Sequence, residues 1–151
     1  MTPSFTRYDS SRRTPHPFPV YPPAFESFGL LRELLPESYI ARPQPSGGAS
    51  ISRAISTQGY SSVTLVIYLG AKSYEGAEQL KLSWWDGATW RVLTVIRDGT
   101  ARENARLNKI QIKLPAAAAG NPNFKIRIQQ LNATADDFGY VDEVKLIGTP
   151  K

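Results

Sequence analysis

Cysteine is absent from the 151 residues of this chain, and histidine occurs only once. Without cysteine there are no disulfides and no thiolate ligands for a metal ion. The one histidine, His16, stands between two prolines. Neither a serine triad nor a histidine-bound metal can be built around it in the rest of the chain. These absences argue against a serine hydrolase and against a zinc centre.

Long apolar runs and basic runs are also missing. No apolar stretch approaches the roughly 20 residues of a membrane span. The first twenty residues combine three arginines with four prolines, a composition unlike a secretory signal. The net charge of +5 is spread along the chain. We therefore expect no direct nucleic-acid partner and no membrane partner.

Proline is abundant but unevenly placed, with nine of the twelve in the first fifty residues. We divide the chain into an extended proline-rich arm (1–23), a connecting segment (24–48) and a β-rich domain (49–151). Prolines in TPHPFPVYPP fix φ and extend the residues before them, so the arm is predicted to be stiff.

The connecting segment mixes two signals. Four leucines at helical spacing predict a turn of helix over Leu30–Leu35. Short strands are expected on either side of it, at Phe25–Phe28 and Ser38–Ala41.

Strands with alternating apolar residues recur through the third segment. The predicted strands are Ile51–Thr57, Ser61–Leu69, Gln79–Trp85, Thr89–Ile96, Leu107–Leu114, Asn123–Leu131 and Gly139–Ile147. Asp86-Gly87 predicts a tight hairpin turn between two of them. The residues expected in the core are Leu65, Ile67, Leu82, Ile112, Ile126 and Val144. The pattern favours an all-β fold, a jelly-roll β-sandwich with an extended N-terminal arm.

Residues 51–148 resemble the jelly-roll adhesion and carbohydrate-binding modules of secreted bacterial enzymes, which are similar to MAM domains. The resemblance is carried by the D-G-x-x-W turn from Asp86 to Trp90 and by the acidic loop before Tyr140. It implies an adhesive, non-catalytic role and a buried Trp90. It also implies a structural calcium ion near Glu26, Asp136, Asp137 and Asp142, since calcium takes six to eight oxygen ligands. We favour the alternative, in which these acids form turns and face solvent, so no cofactor is expected.

Paired carboxylates of the kind that hydrolyse glycosides are the remaining enzymatic possibility. Two neighbouring pairs lie in predicted loops and one alternates across a strand: Glu75 with Glu78, Asp136 with Asp137, and Asp142 with Glu143. We expect solvated acids there and predict that the protein is not an enzyme.

Aromatic residues support a glycan-binding function for an extracellular module. Strand phase points Leu80, Leu82 and Trp84 inward and leaves Trp85 outward. Tyr60 and Tyr74, both in predicted loops, are expected to join Trp85 in a sugar platform. An outward tryptophan at an oligomer interface accounts for Trp85 equally well.

The preferred function at this point is structural, because the arm alternates prolines with large side chains. The whole architecture resembles a tailed-phage capsid cement or decoration protein, a homo-oligomer on the virion surface bound to a major capsid protein. Aromatic anchors are expected in grooves of neighbouring subunits, with arginines on acidic rims. These partner-binding residues are Phe5, Arg7, Tyr8, Arg12, Arg13, Phe18 and Tyr21.

Deleting residues 1–23 tests this hypothesis. The truncated chain should stay folded, because the domain's core lies elsewhere, yet lose attachment to the particle that carries the full-length protein. Co-sedimentation with the particle and a melting scan measure the two effects. Attachment as tight as that of the full-length protein would contradict binding of neighbouring subunits by the arm. Loss of folding would show that the arm is part of the sandwich itself.

Overall fold

The structure is a computed structural model that describes residues 5–7, 30–35, 39–41, 48–100, 107–134 and 136–151, with side chains described from residue 49 onward. Within these residues the chain forms ten strands and one short 3₁₀ turn, Ala116–Ala118. The strands are β1 (Phe5–Arg7), β2 (Leu30–Leu35), β3 (Tyr39–Ala41), β4 (Gly48–Ala54), β5 (Tyr60–Lys72), β6 (Gln79–Trp85), β7 (Trp90–Arg97), β8 (Asn108–Lys113), β9 (Lys125–Leu131) and β10 (Phe138–Pro150). None of the described segments forms a helix long and apolar enough to cross a membrane.

The strands make two antiparallel sheets. Sheet A has the order β1–β3–β10–β5–β8, with β2 also paired to β10, and sheet B has the order β4–β9–β6–β7. The centre of each sheet therefore pairs strands distant in sequence, β10 with β5 and β9 with β6. This is the strand order of a jelly roll. The predicted fold class, an all-β jelly-roll sandwich, is confirmed.

The core lies between the inward faces of the two sheets. On β5 the inward row is Val63, Leu65, Ile67 and Leu69, and all four are buried. The sheet B side contributes Leu80, Leu82, Ile126 and Ile128, and the ring of Trp84 stacks on Phe124 at 6.1 Å. Five predicted core residues, Leu65, Ile67, Leu82, Ile126 and Val144, are 0% exposed, whereas Ile112 is partly buried against them.

Strand β10 changes phase at a bulge. Glu143 has a φ of 43°, and the pairing of β10 with β5 shifts register between Asp142 and Lys145. The extra residue lets Val141 and Val144 both face the core although three positions separate them. This explains why both sequence rows of the strand contain apolar residues.

The segments before residue 48 supply strands to sheet A. β2 pairs with β10 over Leu30–Leu35, so the helix predicted there is wrong. The open backbone edge of β10 offers hydrogen bonds that outweigh a weak local helical preference. A strand at Ser38–Ala41 is confirmed as β3, and β1 of the arm pairs with it. The strand predicted at Phe25–Phe28 lies outside the described residues.

Ile126→Ala should lower the free energy of unfolding by about 2 to 5 kcal/mol, because it leaves a cavity where a fully buried side chain packs. Urea unfolding followed by fluorescence measures the loss. The matched control is Gln129→Ala on the outward side of the same strand, which should change stability by no more than about 0.5 kcal/mol. Equal effects of the two variants would show that the strand has the opposite phase.

Candidate functional site

The turn between β6 and β7 is fixed by the carboxylate of Asp86. Its Oδ1 accepts hydrogen bonds from the backbone N–H groups of Ala88 and Thr89, both at 2.8 Å, and its Oδ2 accepts one from Arg91 Nε at 2.5 Å. These backbone donors, followed by Arg91, hold the pKa of Asp86 well below its usual range. Gly87 adopts a φ of 106°, which a side chain would strain. The turn thus has one preferred shape at neutral pH.

This turn places two tryptophans side by side on the outer face of sheet B. Trp85 and Trp90 are direct cross-strand partners, with ring centroids 5.5 Å apart and planes inclined at 60°. Both are partly exposed. The burial of Trp90 implied by the resemblance is therefore wrong, and the core position belongs to Trp84. At this hairpin the structure provides a pair of outward aromatic rings, whereas the sequence predicted only Trp85 to face outward there.

Two cations from β9 lie over these rings. Lys125 Nζ is 5.9 Å from the Trp85 ring centroid, and Arg127 Cζ is 4.2 Å from that of Trp90. Arg127 on β9 pairs with Ser83 on β6, and Ser83 has a short, buried side chain. Arg127 therefore extends across β6 to reach Trp90 on β7. Cation–π contacts of this kind contribute about 0.5 to 1 kcal/mol at exposed sites. The result is an aromatic–cationic surface, which we define as Trp85, Trp90, Lys125 and Arg127.

The two tyrosines predicted to join Trp85 lie elsewhere. Tyr60 begins β5 in sheet A, where it is partly buried against the core. Tyr74 follows the far end of β5 and is buried, and burial raises its pKa above the usual range. Its hydroxyl makes no hydrogen bond within the described residues. Neither residue extends the surface around Trp85.

At the opposite end of the sandwich, two loops bring together a buried pair of carboxyl groups. The side chains of Glu78, just before β6, and Asp137, just before β10, are both buried. Glu78 also accepts the N–H of Glu75 at 2.5 Å, and Asp137 accepts the N–H and the hydroxyl of Thr134. Burial raises the pKa of Glu78, the N–H of Glu75 opposes that shift, and the nearby Asp137 adds to it. The two loops therefore place a second buried acid beside Glu78.

The acids considered for calcium do not converge in the described residues. Asp136 is exposed, and the carboxylate of Asp137 is directed to its own loop. Asp142 pairs with Tyr68, about 15 Å along β10 from Asp137. No group of three or more acids or histidines in the described part of the chain is arranged to hold a metal ion. Glu26 lies outside the described residues.

The partner-binding residues of the arm are largely beyond what the structure describes. Phe5 and Arg7 lie in β1, for which only the backbone is described. Tyr8, Arg12, Arg13, Phe18 and Tyr21 lie outside the described residues. Their contacts with a capsid partner, and the virion location, stay predictions.

No protein-family model matches the sequence, and no curated protein matches it. Among solved structures, the chain is similar to the carbohydrate-binding module TmCBM61, determined in complex with beta-1,4-galactotriose. The sequence identity is 14%, the match covers 76% of this chain and 67% of that chain, and the TM-score is 0.46.

Glu78 should make stability fall with rising pH. Its pKa in the folded chain lies above its ordinary value of 4.5, so the folded state holds the proton over a range in which the unfolded state has lost it. The contribution is complete below 4.5 and is lost as pH rises through the raised pKa. Urea unfolding from about pH 4 to pH 8 measures this fall.

Glu78→Gln should flatten the fall and be at least as stable as wild type near neutral pH, since an amide has no proton to lose. The control is Tyr74→Phe, which removes a neighbouring hydroxyl that makes no hydrogen bond within the described residues and should leave the pH slope unchanged. A slope unaltered by Glu78→Gln would show that other groups set it.

Proposed function

We propose that this chain is a non-catalytic glycan-binding module whose binding site is the aromatic–cationic surface. The observation that carries the proposal is the pair of partly exposed tryptophans, Trp85 and Trp90, held side by side at the Asp86 turn. Large partly exposed rings are costly to leave in water without a ligand. The C–H faces of a sugar ring are flat and apolar, and they pack well on aromatic rings.

The arrangement of the acids favours binding over turnover. Glycoside hydrolysis needs two carboxyl groups about 5 to 9 Å apart on either side of the scissile bond. The buried pair, Glu78 and Asp137, lies at one end of β6, and Trp85 lies at the other, about 20 Å away. A sugar on the tryptophans is therefore out of reach of this pair.

The pairing of the arm with a strand of its own chain also supports a binding module. β1, the described part of the arm, pairs with β3 of the same chain, and β2 and β3 pair with β10. In these strands the backbone groups form hydrogen bonds within the same chain, and an arm bound to another subunit would use those groups for that subunit. Capsid attachment, with its partner and location, remains a separate prediction that truncation of residues 1–23 tests.

The test is glycan-array binding followed by affinity electrophoresis on the glycans that score. Trp85→Ala and Trp90→Ala should each weaken binding about tenfold, because each removes one of the two aromatic rings on which the sugar packs. The double variant should abolish it. A melting scan on every variant separates lost binding from lost folding.

A matched control is Phe138→Ala, which removes a partly exposed ring from the outer face of sheet A, where it stacks on Tyr140 at 6.4 Å. It should leave glycan affinity unchanged. Wild-type protein that binds no glycan on a broad array contradicts the proposed function. Binding that survives the double tryptophan change would place the site elsewhere.

A further inference from the structure

The outer face of sheet B carries positive charge alone. Its four strands contain no aspartate or glutamate, whereas β10 of sheet A has both Asp142 and Glu143. Period-two alternation and the pairing register arrange the outward residues of sheet B in four rows across the strands. Each row contains one cation, in the order Lys125, Arg127, Lys81 and Arg97.

These cations form a diagonal that begins at the tryptophans. Trp85 and Trp90 share the first row with Lys125, and the following cations step from β9 to β6 and then to β7. Rows are about 6.8 Å apart along the strands and neighbouring strands about 4.8 Å apart. The line of charge therefore spans about 22 Å, longer than one sugar ring.

The four cations are available to a ligand. None of them forms an ion pair within the described residues, in contrast to Arg91, which pairs with Asp86, and Lys145, which pairs with Glu143. Each is partly or fully exposed. Apart from Ser83, every outward residue of this face with a described side chain is also exposed to some degree. Among the described residues, this positive charge thus faces solvent without a neutralising acid.

We propose that the ligand is an acidic polysaccharide, with carboxylate or sulfate groups on its sugars, lying along this diagonal from the tryptophans to Arg97. The inference rests on the proposed function, since it names the ligand class of the same site. Arginine binds carboxylate and sulfate through two parallel N–H bonds, and Arg127 is already held flat against the Trp90 ring. A chain with regularly spaced anions engages several cations at once and releases their counterions.

The experiment measures affinity of the full chain for three polymers: polygalacturonate as the carboxylated probe, dextran sulfate as the sulfated probe, and dextran as the neutral match. The test variant is Lys81→Gln with Arg97→Gln, which leaves the tryptophans and their two cations intact. It should weaken binding of an acidic polymer roughly three- to thirtyfold at about 0.1 M salt. Its affinity should also depend less steeply on salt than that of the wild type.

A matched control has the same net charge as the test variant. Lys72→Gln with Lys113→Gln removes two exposed lysines from sheet A and should change affinity less than about twofold. An equal loss in both double variants would show that net charge alone attracts the polymer, which overturns the proposal. Preference between polygalacturonate and dextran sulfate decides which anion the site takes.

The remaining outcomes separate this inference from the proposed function. If wild type binds neutral glycans through its tryptophans and neither acidic polymer more tightly, the acidic ligand is refuted and the glycan-binding function stands. If no glycan of either kind binds, both fall. Tighter binding of a single-stranded DNA oligonucleotide, with the same loss in Lys81→Gln/Arg97→Gln, would assign the face to nucleic acid and overturn the proposal.

Discussion

Sheet B must bury one face and hydrate the other, and the candidate site follows from this constraint. Leu82 and Ile126 point into the core, so their neighbours on each strand have to face water. Antiparallel register then brings outward residues of distant segments into common rows: Lys125 beside Trp85, and Trp85 beside Trp90. Residues about forty positions apart in the chain become one surface because the core fixes their phase. A change of phase in any one strand would disperse the surface.

The parts of the site that depend on local alternation could be predicted from the sequence. Trp85 was expected outward because Leu80, Leu82 and Trp84 set the phase of β6, and the structure agrees. The burial expected for Trp90 is wrong, although the hairpin itself contains the information: a turn that closes directly after Trp85 puts Trp90 opposite it, on the same face. For the side of the sheet on which Trp90 lies, strand register is a better predictor than resemblance to other modules.

Features that depend on distant partners were beyond sequence reasoning. Leu30–Leu35 is a strand only because β10 offers it a backbone edge, and nothing local records that edge. Asp137 comes near Glu78 because the jelly-roll topology brings their two loops together, whereas sequence proximity suggested Glu75 with Glu78. Tyr74 looked like a surface loop residue, yet the loop folds it into the core. In each case the deciding contact lies far away in the chain.

The position of β10 has a consequence for how the protein is made. It is the last strand of the described chain and the neighbour of β2, β3 and β5, so the early segments have no edge to join until it has left the ribosome. Contacts between residues far apart in sequence form slowly, and sheet A cannot assemble before its central strand, β10, is available. A nascent chain halted before residue 138 would present β5 with one edge unpaired, and its core would lack Val141, Val144 and Leu146. Such a fragment exposes an unpaired strand edge, the kind of surface that chaperones and proteases recognise.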